Sequence, residues 1–367
     1  MEGVRFGELP YLEETVIAWA CSYSPQEKVL AVGLDGGGLA LYDTSTWKKI
    51  RSLSGHSGAL RCLGFSLDGQ RLVSGSDDKT VRVWDCSSGD LLATMRGLED
   101  YVAMVTFSPC GKYVASGSED SVVRMWDSMT GEALFVLEDH TDAVNSVKFT
   151  PDGHWLAACG DDGTIRFWDV KTGAPRNVWE LGHGHVLCMA FSPDGQQVVT
   201  GHLDGNLRFW DTVSRLPGPV LRGHTDLAMS ISFSADGQRI ASAGYDSTIR
   251  LWDASACTPI SMYSTSRPPG HYSGVMSVAY LPTGESILSG SLDKTPIFVH
   301  EFSPDLQQTA YGCKEMIRLQ NFRTGVVNLV LEGHTKMVQR LSHSPCGQWI
   351  ASADEDRSIR LWDLHNG

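Results

Sequence analysis

Trp-Asp pairs recur every 42 residues along this chain, at Trp84, Trp126, Trp168, Trp210 and Trp252. Tyr42-Asp43 fills the same slot one period before the first, and Trp362-Asp363 closes the series. A fixed period of this length marks one supersecondary unit, repeated so that neighbours bury each other's apolar faces. The 367 residues therefore read as a single repeat body, 1–367, rather than as two or three domains.

Residues 143–170 give the pattern of one unit. Ala143 to Phe149 alternates as a strand, and Pro151-Asp152-Gly153 supplies a turn. Trp155 to Ala158 is a second strand, Asp161-Asp162-Gly163 a hairpin turn, and Thr164 to Trp168 a third strand. Asn177 to Glu180 reads as an outer fourth strand. Four strands per unit, repeated radially, leave few exposed sheet edges. The 38 Gly fit a chain of short strands and tight turns better than a helical one.

A second constellation sits on the same register. Gly-His dipeptides precede the first strand at Gly55-His56, Gly223-His224, Gly270-His271 and Gly333-His334. Three units carry a full set of four residues: His56, Ser74, Asp78 and Trp84; His224, Ser242, Asp246 and Trp252; His334, Ser352, Asp356 and Trp362. This pattern strongly resembles the WD-repeat β-propeller family, in the regular style of fungal and bacterial signalling proteins. The resemblance implies that the Asp orients the His, the His bonds the Ser, and the Ser accepts the indole N–H. Such a chain gives buried polar groups their partners. Other units depart from it. Leu98 replaces the His, Ala158 replaces the Ser, and Gly182 stands in a His register with His183 next to it. These units are expected to rely more on apolar packing.

The expected fold is all-β: one closed propeller of four-stranded blades. Eight blades fit the complete units best, with seven and nine as alternatives. The register breaks after Trp252. Pro296-Ile297-Phe298-Val299-His300 arrives late, and Met316 to Asn321 repeats a third-strand pattern early, so an irregular half-unit is expected at about 296–325. The family closes its ring with an N-terminal strand, a role the resemblance gives to Val4-Arg5-Phe6.

Several chemistries find no support. The chain has no phosphate-binding loop of the G-x-x-x-x-G-K-[ST] type, no G-x-S-x-G elbow and no H-E-x-x-H pair. The nine Cys are scattered without a CxxC pair, which argues against a zinc site or a disulfide framework. His183-Gly184-His185 lacks further ligands for a metal. The recurring His, Ser and Asp resemble a triad only by residue type, since each Ser faces a Trp. No enzyme activity, cofactor or metal is therefore expected. A net charge of -13 disfavours nucleic acid and anionic membranes. The Arg two places before each Trp, as at Arg82 and Arg166, is spread one to a unit and makes no patch. The acidic start and the lack of a long apolar run give no leader or membrane span, so a cytoplasmic setting, with the nucleus second, is the expectation.

Function on a propeller lies in sites grafted onto the scaffold. The resemblance points to the top face, where two rings of residues follow from the register. The first precedes each hairpin-turn Asp: Asp77, Glu119, Asp161, Leu203, Tyr245, Leu292 and Glu355. The second lies at the start of each first strand: Trp19, Arg61, Tyr101, Asn145, Leu187, Met229, Met276 and Gln339. The first ring is polarised, three acids followed by three apolar or aromatic residues. This predicts a protein or peptide ligand with a basic and a hydrophobic element. The chain is thus expected to be a protein-binding scaffold or sensor, a subunit of a larger complex. One alternative is a substrate receptor of a cullin-type ubiquitin ligase, for which Trp168-Asp169-Val170-Lys171 is the only fitting stretch. A propeller enzyme is the remote alternative.

Overall fold

In the computed structural model, described residues are 18–25, 29–43, 48–182, 184–264, 274–280 and 287–291, together with the strands between 301 and 363. Almost all of the regular structure is antiparallel strand. Six successive four-stranded sheets occupy 18–53, 60–95, 102–137, 144–180, 186–221 and 228–264, each with its strands in chain order. They are sheets 1 to 6. Sheet 7 is described as two strands, Val275–Tyr280 and Ile287–Ser291.

Each strand's composition follows from its depth. The second strands, such as Arg71–Ser76 and Trp155–Gly160, are buried on both faces after their first residue. They are rich in small and β-branched residues because sheets press on them from both sides. The fourth strands, such as Ala133–Leu137, are mostly exposed. Turns after the first strands are fixed locally. At Gly153 φ is 70°, and Asp152 Oδ1 accepts the amide of His154 at 3.0 Å.

The core lies between sheets. Trp168 packs in one cluster with Ala115, Val123, Met125 and Leu137 of sheet 3. Trp126, Trp210 and Trp252 likewise join clusters of the sheet before their own. The repeated Trp therefore ties consecutive sheets together, and its period is the period of the interfaces.

The first strands of sheets 1 to 7 pack in succession, and both strands of sheet 7 also pack against Ala18–Tyr23 of sheet 1. The half-unit expected at about 296–325 falls on sheet 8, which has four strands among the described residues, the first of them described as Glu301–Phe302. Sheet 9, within 338–363, has three and packs on sheet 8. The Pro296 to His300 stretch and the Val4-Arg5-Phe6 clasp lie outside the described residues.

Candidate functional site

Two of the three four-residue sets are described, and both are closed networks. Trp84 Nε1 donates to Ser74 Oγ at 2.8 Å, Ser74 Oγ meets His56 Nε2 at 2.8 Å, and His56 Nδ1 meets Asp78 at 2.9 Å. Trp252, Ser242, His224 and Asp246 repeat the chain at 2.9, 2.7 and 3.1 Å. Passing each proton from indole to hydroxyl to imidazole to carboxylate satisfies every group with a neutral His. Burial holds the His56 imidazole below its ordinary value, outweighing the pull of Asp78. Burial alone would raise Asp78, yet bonds from Thr80, Ser57 and His56 leave it below the usual carboxylate value. The Gly before each His has a steric cause: a Cβ at Gly55 would stand 2.4 Å from the Arg82 guanidinium and 3.1 Å from the Trp84 ring. In the third set, His334 and Asp356 lie outside the described residues, as do the side chains of Ser352 and Trp362.

The departing units, expected to rely more on apolar packing, combine it with rewired hydrogen bonds: Leu98 joins the apolar cluster that holds Trp126. In sheet 3 Leu98 is buried, Trp126 still donates to Ser116, and Asp120 takes Arg124 at 2.8 Å. In sheet 4 Ala158 offers no hydroxyl, so Trp168 donates to Asp139 at 2.6 Å while His140 keeps Asp162 at 2.8 Å. In sheet 5 His202, from the second strand, meets Thr200 Oγ1 at 2.8 Å, and Thr200 accepts Trp210 at 2.9 Å. His183 lies outside the described residues.

The two predicted rings meet on one face for a reason the register alone does not reveal. Every first strand of sheets 1 to 7 carries a β-bulge near its start. The residue passed over in the pairing is Trp19, Arg61, Ala103, Asn145, Leu187, Met229 and Met276 in turn. A bulge takes one side chain out of the ladder and re-aims it. This corrects the second ring: the bulged residue of sheet 3 is Ala103, and Tyr101 stands two places earlier. Tyr101 nonetheless reaches the bulge ring, since the Arg61 guanidinium lies 5.5 Å from its ring, and burial and a bond to Glu119 push its phenol up to about 12.

The acidic arc is hydrogen-bonded rather than open. Asp77 receives Arg61 in bidentate form, at 2.7 and 2.8 Å. The Arg61 guanidinium in turn stacks 4.3 Å from the Trp19 ring and 5.5 Å from Tyr101. Glu119 holds Tyr101. Asp161 takes Asn145 Nδ2 at 2.7 Å and His185 Nδ1 at 2.9 Å. Each acid thus meets a partner from the bulge ring or beside it. The apolar half differs. Leu203 is 44% and Tyr245 43% exposed, on sheets whose bulges present half-buried Leu187 and Met229. Met276 is half-buried, and Leu292 lies outside the described residues.

The bulged first strands, the inter-sheet Trp and the closed networks form one recurring unit, and comparison with known families matches it. A "WD domain, G-beta repeat" model fits residues 47–85, 217–253, 262–296 and 325–363. An "IFT122 first beta-propeller" model fits residues 81–216. The chain belongs to the WD-repeat β-propeller family. Among its relatives, Protein HIRA of Zea mays is 31% identical over 26% of this chain and 10% of its own length. Ribosome biogenesis protein bop1-A of Xenopus laevis is 41% identical over 13% of this chain and 7% of its own length. The U3 small nucleolar RNA-associated protein 15 homolog of Xenopus laevis is 40% identical over 17% of this chain and 12% of its own length. The matched segments thus span about a tenth of these relatives.

Within this WD-repeat chain the Trp168-Asp169-Val170-Lys171 stretch is not distinctive. Asp169 accepts the amides of Lys171 and Thr172, just as Asp85, Asp127, Asp211 and Asp253 cap the same turn in their own units.

Proposed function

We propose that this WD-repeat body is a non-catalytic protein-binding scaffold whose docking site is the apolar arc of the bulge-bearing face. The observation that carries this is the contrast between the two halves. Arg61, Tyr101, Asn145 and His185 occupy the acids, whereas Leu203 and Tyr245 stay open to solvent beside Leu187 and Met229. Exposed aromatic and aliphatic side chains on a rigid scaffold are the usual anchors of an interface. The partner in this reading offers a hydrophobic segment, with polar groups toward the Trp19–Arg61–Tyr101 stack. A WD-repeat relative named for ribosome biogenesis fits an assembly role. The packing of sheet 7 on sheet 1 supports a ring of seven blades, in place of the eight favoured by counting units. Particle images with eight spokes would overturn that ring.

The test of function is affinity capture from native extract with wild-type protein and with the Leu203→Asp/Tyr245→Ala double variant. Proteins retained by the wild type should be lost by the variant. Identical capture by both would remove the site from this face.

A further inference from the structure

A lysine stands on the inner strand of sheet 4 where every equivalent strand carries a small residue. Strand pairing aligns Lys148 with Ser22, Gly64, Thr106, Ala190, Ser232 and Ala279 in sheets 1, 2, 3, 5, 6 and 7. The small neighbours leave room, and Lys148 lines an open pocket of about 380 Å³ among the first strands of sheets 4, 5 and 6. Phe149, Phe191 and Phe233, with Pro151 and Pro193, make its collar.

Among the described residues no carboxylate pairs with Lys148, and the charge-bearing groups around it are the thiols of Cys188, Cys62 and Cys159. Burial pushes Cys62 and Cys188 up to about 12 and Cys159 up as well, so none supplies a negative charge at neutral pH. Burial likewise holds the Lys148 ammonium below its ordinary value. Lys148 is half-buried, so its side chain keeps some contact with solvent, and an anion seated beside the ammonium gains by charge pairing. The ligand's charge follows from the donors. The Ser234 hydroxyl donates to Asp236 at 2.5 Å, the Ser232 hydroxyl donates to the Phe233 carbonyl at 3.4 Å, and no Arg lines the pocket. One ammonium matches one negative charge, whereas a phosphate dianion calls for several donors. The collar matches an apolar body of small-molecule size.

We propose that this pocket binds a small organic monocarboxylate, with its carboxylate on the Lys148 ammonium and its apolar body against the phenylalanine and proline collar. The site is separate from the protein-docking face and stands or falls independently of it.

Calorimetric titration of the full chain with 4-phenylbutyrate, and with its neutral amide, tests this directly. The acid should bind, the amide at least about tenfold more weakly, and Lys148→Met should weaken the acid by a similar factor while leaving the amide unchanged. Equal binding of acid and amide, no binding of the acid at millimolar concentration, or undiminished binding by a folded Lys148→Met would each overturn the proposal. Should Lys148→Met not fold, the acid-against-amide comparison on wild type decides.

Discussion

Trp168 donates its indole N–H to the Asp139 carboxylate at 2.6 Å, because Ala158 leaves no hydroxyl where the neighbouring units have Ser or Thr. The substitution is incomplete, since the buried Nε2 of His140 is left without a hydrogen-bond partner. Asp139→Ala should orphan the indole and cost about 1–3 kcal/mol in urea unfolding. Ala158→Ser should return the missing hydroxyl between Trp168 and His140, raise stability by about 1 kcal/mol, and rescue Asp139→Ala. A double variant no more stable than Asp139→Ala would mean that this sheet cannot adopt its neighbours' network.

How much of this was legible beforehand varies with the kind of signal. The Trp spacing, the turn at Gly153 and the complete networks at His56 and His224 were readable, because each depends on residues at fixed separations. Asp139 was missed because it stands next to His140, off the repeating register. His202 was missed because it comes from the second strand rather than from the loop before the first. The Tyr101 misplacement has another origin. Steps of 42 residues from Arg61 lead to Ala103, Asn145, Leu187 and Met229, so Tyr101 lies two places off a register that the sequence already held. The pairing of the acidic arc was hidden because Arg61 and Asp77 are 16 residues apart, joined only by the hairpin between them.

Stability should fall as pH drops below the ordinary His value of 6.5, because folded His56 titrates lower. The unfolded chain binds the proton first, so the stabilisation is complete above 6.5 and is lost progressively toward the folded pKa. A second loss follows below 3.8, where Asp78 stays ionised in the fold after the unfolded chain has taken up its proton. His56→Leu, which copies Leu98 of sheet 3, should be less stable at pH 7 but flatter between pH 6.5 and 5 in thermal melts. An unchanged slope would exclude His56 as its source.

Asp77→Asn, Glu119→Gln and Asp161→Asn together should leave the rate of partner association and its salt dependence nearly unchanged. Charges steer a basic segment, but the partner of the proposed reading docks through a hydrophobic segment on the apolar arc, and these three acids are already hydrogen-bonded to Arg61, Tyr101, Asn145 and His185. The variant should instead lose stability, by about 0.5–1 kcal/mol for the half-exposed Arg61–Asp77 pair. A marked flattening of the salt dependence in stopped-flow association would show that the arc acts through its charge after all.

Tyr245→Ala should weaken binding of the captured partner by about 1–3 kcal/mol, the range of an interface anchor, mainly through faster dissociation. Its ring is 43% exposed and outside the His224 network, so the fold should persist. The backbone of sheet 7 offers an independent handle. A Cβ at Gly274 would lie 2.8 Å from Cδ2 of Tyr245, closer than real contacts allow. Gly274→Ala should therefore displace the Tyr245 ring and weaken the same partner, although it removes no side chain. The two changes act on one anchor, so their double variant should bind no worse than Tyr245→Ala alone. Additive losses in surface plasmon resonance would mean that Gly274 touches the partner itself and that the docking site extends onto sheet 7.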